Sequence, residues 1–275
     1  MSIPLEDLFN DVLGKSRRGL GLTEDALSAR TGVSVADIKA AMAGEVDEVV
    51  LTKLAPALKL DATSLVTMAN KAWAPEPVSL TGLAQFNTDF GDMTVNAYIV
   101  YDPATKAAAA FDTGATAKPM VDFIKENGLS LNLVFLTHTH GDHVADLSGL
   151  CQAGAPTVFV NAKEPFSGAQ TFEVGDTTAW ELGGLKIEPR NTSGHSKGGT
   201  TYVITGLEKT VAVVGDALFA SSMGGGMVSF TDALATNRKE VFSLPDDTVV
   251  CPGHGPLTTI AEEKVHNPFY PEFKA

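Results

Sequence analysis

THTHGDH, residues 137–143, places three of the chain's six histidines and one aspartate within seven positions. The apolar run Leu133–Leu136 leads into it, as the end of a strand would. In extended backbone alternate side chains point the same way, so His138 and His140 face one place from one side of the chain. Gly141 then permits a sharp turn that brings Asp142 and His143 to the same region from another direction. A solvated polar loop has no need of four such groups packed so closely; a metal site does.

Three further stretches supply partners. SGHSKGG (193–199) sets His195 between glycines, VVGDALF (213–219) puts Asp216 at a strand end, and CPGHGP (251–256) does the same for His254. His266, in the tail EEKVHNPFYPEF, has neither context and is read as non-ligating. Neutral imidazoles suit zinc and iron, while carboxylates add hard oxygen donors and cancel positive charge. A pair of such cations acidifies water, which removes the need for a serine, a cysteine or a separate general base in hydrolysis.

Around these segments the chain changes texture once. Residues 1–74 read as helical throughout, with apolar spacings of three and four such as Leu51, Leu54 and Leu58. WAPEPVSL (73–80) breaks the pattern with two prolines and marks a domain boundary. From 78 to 275 short apolar strands alternate with turns and a few helices: strands flank Asp102–Thr105, a helix covers 117–128, and TVFV, TYVI, VAVV and TVV are further strands. An α/β domain preceded by a small all-α domain follows.

The ordered motifs FDTGA at Asp112, THTHGDH, GHS, GDALF and PGHGP resemble those of the metallo-β-lactamase fold superfamily, over about residues 78–260. The resemblance implies an αββα sandwich of two mixed sheets flanked by helices, with two divalent metal ions, zinc or iron or one of each, at one edge. Carried over by position, His138, His140 and His195 bind the first metal, Asp142, His143 and His254 the second, and Asp216 bridges both. Asp142 and Asp216 are the carboxylates expected to take part in catalysis. Asp112 is expected to orient a ligand from behind.

Asp216 in place of a bridging cysteine counts against a secreted β-lactamase. GDALF and LPDDTVVCPGHGPLTT look closest to the hydroxyacylglutathione hydrolases (glyoxalase II), which implies hydrolysis of a small thioester or ester. Glyoxalase II carries a C-terminal helical domain that grips glutathione, whereas about twenty residues follow His254 here. SSMGGGMVSF (221–230) is expected to be a flexible turn, and Lys197 an ordinary surface lysine. A second reading on the same scaffold is a persulfide dioxygenase, with one iron held by His138, His195 and Asp216; retention of the second ligand set favours hydrolysis.

The front end resembles a Cro/repressor-type helix-turn-helix, with Ala26, Gly32, Val33 and Ile38 at matching places, which leaves a ligand-sensing DNA-binding regulator as a third reading. Its presumed recognition helix offers only Asp37 and Lys39 as charged groups and none of the side chains that read base edges. With 33 acidic against 20 basic residues the net charge is -13, which repels phosphate backbones and anionic membranes. A nucleic acid partner is therefore disfavoured, a small-molecule substrate favoured, and a homo-oligomer left open. Pro56 is uncomfortable inside its helix unless it lies in the first turn. Two cysteines a hundred positions apart, Cys151 and Cys251, suggest buried free thiols. With neither a basic-then-apolar leader nor a long apolar run, the expected location is the cytoplasm.

Overall fold

A computed structural model describes residues 3–175 and 178–274. Five helices come first: α1 (Phe9–Gly19), α2 (Glu24–Thr31), α3 (Val35–Met42), α4 (Glu48–Ala57) and α5 (Ala62–Ala69). Their starts are set by side chains that satisfy orphan amides: Thr23, Ser34, Asp47 and Asp61 each accept from the first turn of α2 to α5. Pro56 lies in the last turn of α4, not the first. Among the described residues no helix is long and apolar enough to cross a membrane.

Two six-stranded sheets follow. The first contains β1 (Leu83–Phe90), β2 (Met93–Tyr101), β3 (Ala107–Phe111), β4 (Ser130–Phe135), β5 (Thr157–Asn161) and β6 (Gln170–Phe172), in spatial order 1-2-3-4-5-6. The second contains β7 (Trp180–Leu182), β8 (Leu185–Asn191), β9 (Thr200–Thr205), β10 (Val211–Gly215), β11 (Val249–Pro252) and β12 (Thr258–Thr259), in order 12-11-10-9-8-7. Helices α6 (Lys118–Glu126), α7 (Gly141–Val144) and α8 (Leu147–Cys151) belong to the first half; α9 (Phe230–Thr236) and α10 (Ile260–His266) belong to the second.

Each sheet is covered on both faces, which explains strands such as β10 that are buried along their whole length and show no polar alternation. Val211 and Val213 point into the seam between the sheets, with Tyr98, Phe111, Phe135 and Tyr202. Ala110, Val134 and Val160 face outward against Met120, Ile124 and Leu150 of α6 and α8. Ala212, Val214 and Val250 turn the other way and join one continuous apolar cluster with Phe230, Phe269 and Tyr270. That cluster also takes in Val12, Leu13, Leu27, Ile38 and Leu65 of the N-terminal helices. The molecule is thus an α/β two-sheet metallo-β-lactamase fold preceded by a helical region.

Parallel pairing aims the strand ends. β3 runs parallel to β4, and β10 parallel to β11, so the C-terminal ends of each pair lie side by side. The residues that follow them are Asp112, Thr137 to His143, Asp216 and His254. Cys251 is buried and Cys151 half-buried, and both are free.

Candidate metal centre

The segment after β4 does not continue as a strand. His138 and His140 are carried in coil, and Gly141 opens the helical turn α7, for which His140 stands at the N-cap position. The expected sharp turn is therefore the first turn of a helix. His143 emerges from it fully buried, with His138 and His254 nearly so.

Two groups of side chains offer ligand atoms within 4.8 Å of one another: His138, His140, His195 and Asp216, and Asp142, His143 and His254. In the first group His140 Nδ1 lies 3.1 Å from His138 Nε2 and 3.0 Å from His195 Nε2, and Asp216 Oδ2 lies 3.3 Å from His195 Nε2. In the second, Asp142 Oδ2 lies 3.3 Å from His254 Nε2 and 3.5 Å from His143 Nε2. Asp216 reaches both, with Oδ1 3.3 Å from His143 Nε2 and Oδ2 3.5 Å from His254 Nε2. His266 takes no part; its ring stacks on Trp73 at 4.1 Å.

The rings are oriented from behind. His195 Nδ1 donates to the Gly225 carbonyl at 2.9 Å, and His254 Nδ1 to the Thr94 carbonyl at 2.6 Å. A carbonyl only accepts, so on both rings Nδ1 is the donor and Nε2 is the nitrogen turned to the site. Asp112 accepts from His143 Nδ1 at 2.8 Å, and from the Thr137 amide and hydroxyl, each at 2.8 Å. With its hydroxyl proton so engaged, Thr137 accepts from His138 Nδ1 at 3.0 Å.

Charge in the cluster is strongly coupled. Burial opposes protonation of His143, but the carboxylates of Asp216 and Asp112 outweigh it and push the imidazole up to about 10. Burial likewise opposes protonation of His254, and hydrogen bonding to Asp142 and Asp216 raises it to about 11. Asp142 is held at about 2: burial raises it, and His254 and His143 more than reverse that. Buried His138, with other imidazoles close by, falls well below the ordinary histidine range. Carboxylate charge thus raises the imidazoles beside it, whereas burial and neighbouring imidazoles depress His138.

Two buried atoms, His143 Nε2 and Asp216 Oδ1, face each other without a hydrogen-bond partner. Such orphans are costly unless something else fills their valence. Ligands about 2.0–2.1 Å from a tetrahedral centre are about 3.3 Å apart, close to most separations given above. The donor set and its spacing fit divalent metal.

Several supporting residues had no clear signal in the sequence. Glu164, after β5, accepts from Thr139 Oγ1 at 2.7 Å and from the Gly198 amide at 2.9 Å, tying the turn of His138 and His140 to that of His195. Burial raises its pKa, but these donors outweigh it and hold the carboxyl below the usual range. Asn96, in β2, donates to the Pro252 and Gly255 carbonyls at 3.0 and 2.8 Å and so fixes the turn of His254. The 221–230 segment is buried at Ser221 to Gly224 and exposed at Met227 and Val228, and Gly225 carries the carbonyl that orients His195. Gly224 is needed for closeness, since a Cβ there would collide with the Asp216 carbonyl and lie 2.9 Å from His195 Nδ1. Lys197 is exposed.

A two-sheet fold with histidines and aspartates gathered at one edge defines a metal-dependent hydrolase or a related enzyme. The chain belongs to the Metallo-beta-lactamase superfamily, whose profile matches residues 90–254. A Streptococcus pyogenes protein named "Probable metallo-hydrolase" is 32% identical over 199 residues, 63% of this chain and 84% of that protein. Hydroxyacylglutathione hydrolase GloC of Haemophilus influenzae is 29% identical over 197 residues, 63% of this chain and 92% of its own. Among solved structures, a di-iron-bound form of TTHA1623 superposes with a TM-score of 0.53 at 26% identity, covering 67% of this chain and 99% of that one.

Proposed function

We propose that the protein is a cytoplasmic hydrolase of a small thioester or ester, similar to glyoxalase II in its metal centre. One observation carries the reading: five imidazoles and two carboxylates converge on one edge, four of the rings fixed from behind. In this reading His138, His140 and His195 hold one divalent cation and Asp142, His143 and His254 a second, with Asp216 shared. Zinc and iron both suit such nitrogen and oxygen donors. When bound, the pair supplies an acidified water and polarises a carbonyl.

The chain's own groups do the rest. Asp142, the more exposed of the two carboxylates at 13% against 8%, is placed to accept a hydrogen bond from the attacking water and so orient it. Asp216 sets the spacing of the two groups. A thiolate leaves without first being protonated, because its pKa is about 8.5, whereas an amine or alkoxide needs a general acid. In this reading every imidazole and carboxylate of the cluster is given to the cations, which leaves none of them to protonate a leaving group and suits a thiolate better than an alkoxide. The named activity of the Haemophilus influenzae relative supports the same substrate class.

Elemental analysis together with an acyl-thiol and ester panel tests the proposal. The expected result is about two bound metal equivalents and thioester hydrolysis that chelator abolishes and added zinc or iron restores. Metal-loaded protein that hydrolyses nothing in the panel, or that takes up oxygen with a thiol instead, overturns it.

A further inference from the structure

The loop that orients His195 is held from two sides. Glu263 of α10 accepts the Ser221 amide at 3.0 Å, and Asn267 Nδ2 donates to the Ser222 carbonyl at 2.8 Å. The opposite hold comes from the N-terminal region. The Asp7 carboxylate accepts from the Ser222 hydroxyl and pairs with Lys15 of α1. Lys15 Nζ in turn donates to the Met223 carbonyl at 2.8 Å and sits 5.2 Å from the centre of the Phe219 ring. Both charged side chains are largely buried, at 9% and 14% exposure.

Two residues beyond Met223 lies the Gly225 carbonyl that accepts the hydrogen bond from His195 Nδ1. Gly224 between them is pressed against Asp216 and His195, so a shift at Met223 has no slack in which to dissipate before it reaches the ring. The same N-terminal segment flanks the other ligand turn: a Cβ on Gly255, next to His254, would lie 3.2 Å from the Glu6 amide nitrogen. On the helix that would face nucleic acid in the disfavoured third reading, Lys39 of α3 lies 3.8 Å from Glu24.

We propose that Asp7 and Lys15 are positioning residues for the metal centre: through the Ser222–Met223 turn they fix the Gly225 carbonyl that sets the tautomer and angle of His195. The N-terminal helical region is thereby a working part of the metal site. This inference rests on the metal-binding reading given above.

The test uses the full chain with Lys15→Met, Asp7→Asn and, as the smallest change, Ser222→Ala, which removes only the hydroxyl held by Asp7. Leu27→Ala serves as control, because Leu27 is buried in the same helical region but is no part of the hold on the loop. Affinities for the first and second zinc equivalents are measured by competition with a chromophoric chelator, the cobalt-substituted proteins are compared by absorption, and thermal midpoints are recorded for the metal-free chains. Affinity for one equivalent is expected to fall about tenfold in the first three variants, with an altered cobalt spectrum, the loss seen when groups behind a ligand are removed. Leu27→Ala is expected to lower the midpoint alone. Ser222→Ala with unchanged affinity and spectrum, or an equal loss in Leu27→Ala, overturns the proposal. Failure of the unmodified chain to bind either equivalent overturns the metal reading and this inference with it.

Discussion

Asp112 holds its backbone at φ 58°, a conformation that a non-glycine residue adopts at a cost and that aspartate tolerates better than most. The return is a carboxylate turned back beneath the site, where it accepts from His143 and twice from Thr137. Asp112→Ala is therefore expected to keep the fold but weaken metal affinity about 10–100-fold, measured by chelator competition. Gly253 has the converse role, since a Cβ there would collide with Asp216 Oδ1 and lie 2.7 Å from His143 Cε1. Gly253→Ala is expected to cost about 1–3 kcal/mol of stability, read by denaturant unfolding, and to abolish turnover. His140→Ala and Asp216→Ala should also abolish turnover while leaving the circular dichroism spectrum unchanged, because the site lies at a rim. At this scale the sequence was most informative: strand ends, glycines and histidine spacing pointed to all seven gathered residues. Gly225 could not be found that way, because it acts through a carbonyl that every residue carries.

Helix α10 shows how an element on the far side of a loop can govern it. Its Glu263 is fully buried and receives the Ser221 amide, the Thr258 hydroxyl and the Asn267 amide. Burial raises this carboxyl to about 8, only partly opposed by those donors and reinforced by neighbouring Glu262. A folded-state pKa above the unfolded value of 4.5 means that the folded chain keeps a proton the unfolded chain has lost. Stability from this group is thus full below about pH 4.5, declines as pH rises toward about 8 and is level beyond it. Glu263→Gln, which cannot titrate, should show a shallower loss of stability between about pH 5 and pH 8 than the unmodified chain, by a few kcal/mol (roughly) at most, in denaturant titrations. Elements were legible where burial left unbroken apolar runs: β2, β4, β5, β9 and β10 fall where those runs placed them. β1 was missed because LAQFNTDF, at a sheet edge and half-buried, has no clean alternation. The three residues each of β6 and β7 are too short to carry a pattern.

Across the whole molecule, one apolar cluster runs from the N-terminal helices into the outer face of the second sheet. Phe230 makes the join close, since its ring occupies the space a side chain on Gly19 would take. A chain starting at residue 75 would uncover Phe230 and the part of the apolar cluster that the helices close, a patch of the kind that drives aggregation. That truncation is expected to be insoluble or several kcal/mol (about) less stable than the full chain, as size-exclusion profiles and unfolding curves would report. The two-proline stretch at 73–80 lies between α5 and β1, but nothing in linear sequence says which faces of separate elements will meet; Val12 and Val250 look alike whether or not they share a core.

The stacked pair of Trp73 and His266 stands where the linker meets α10. An indole held against an imidazole has a different excited-state lifetime from one surrounded by water, and the second indole, Trp180, sits apart among Phe135, Phe159 and Phe172. The protein thus contains its own optical gauge: replacing Trp180 with phenylalanine leaves a single indole whose fluorescence registers, without any added label, whether the helical region is seated.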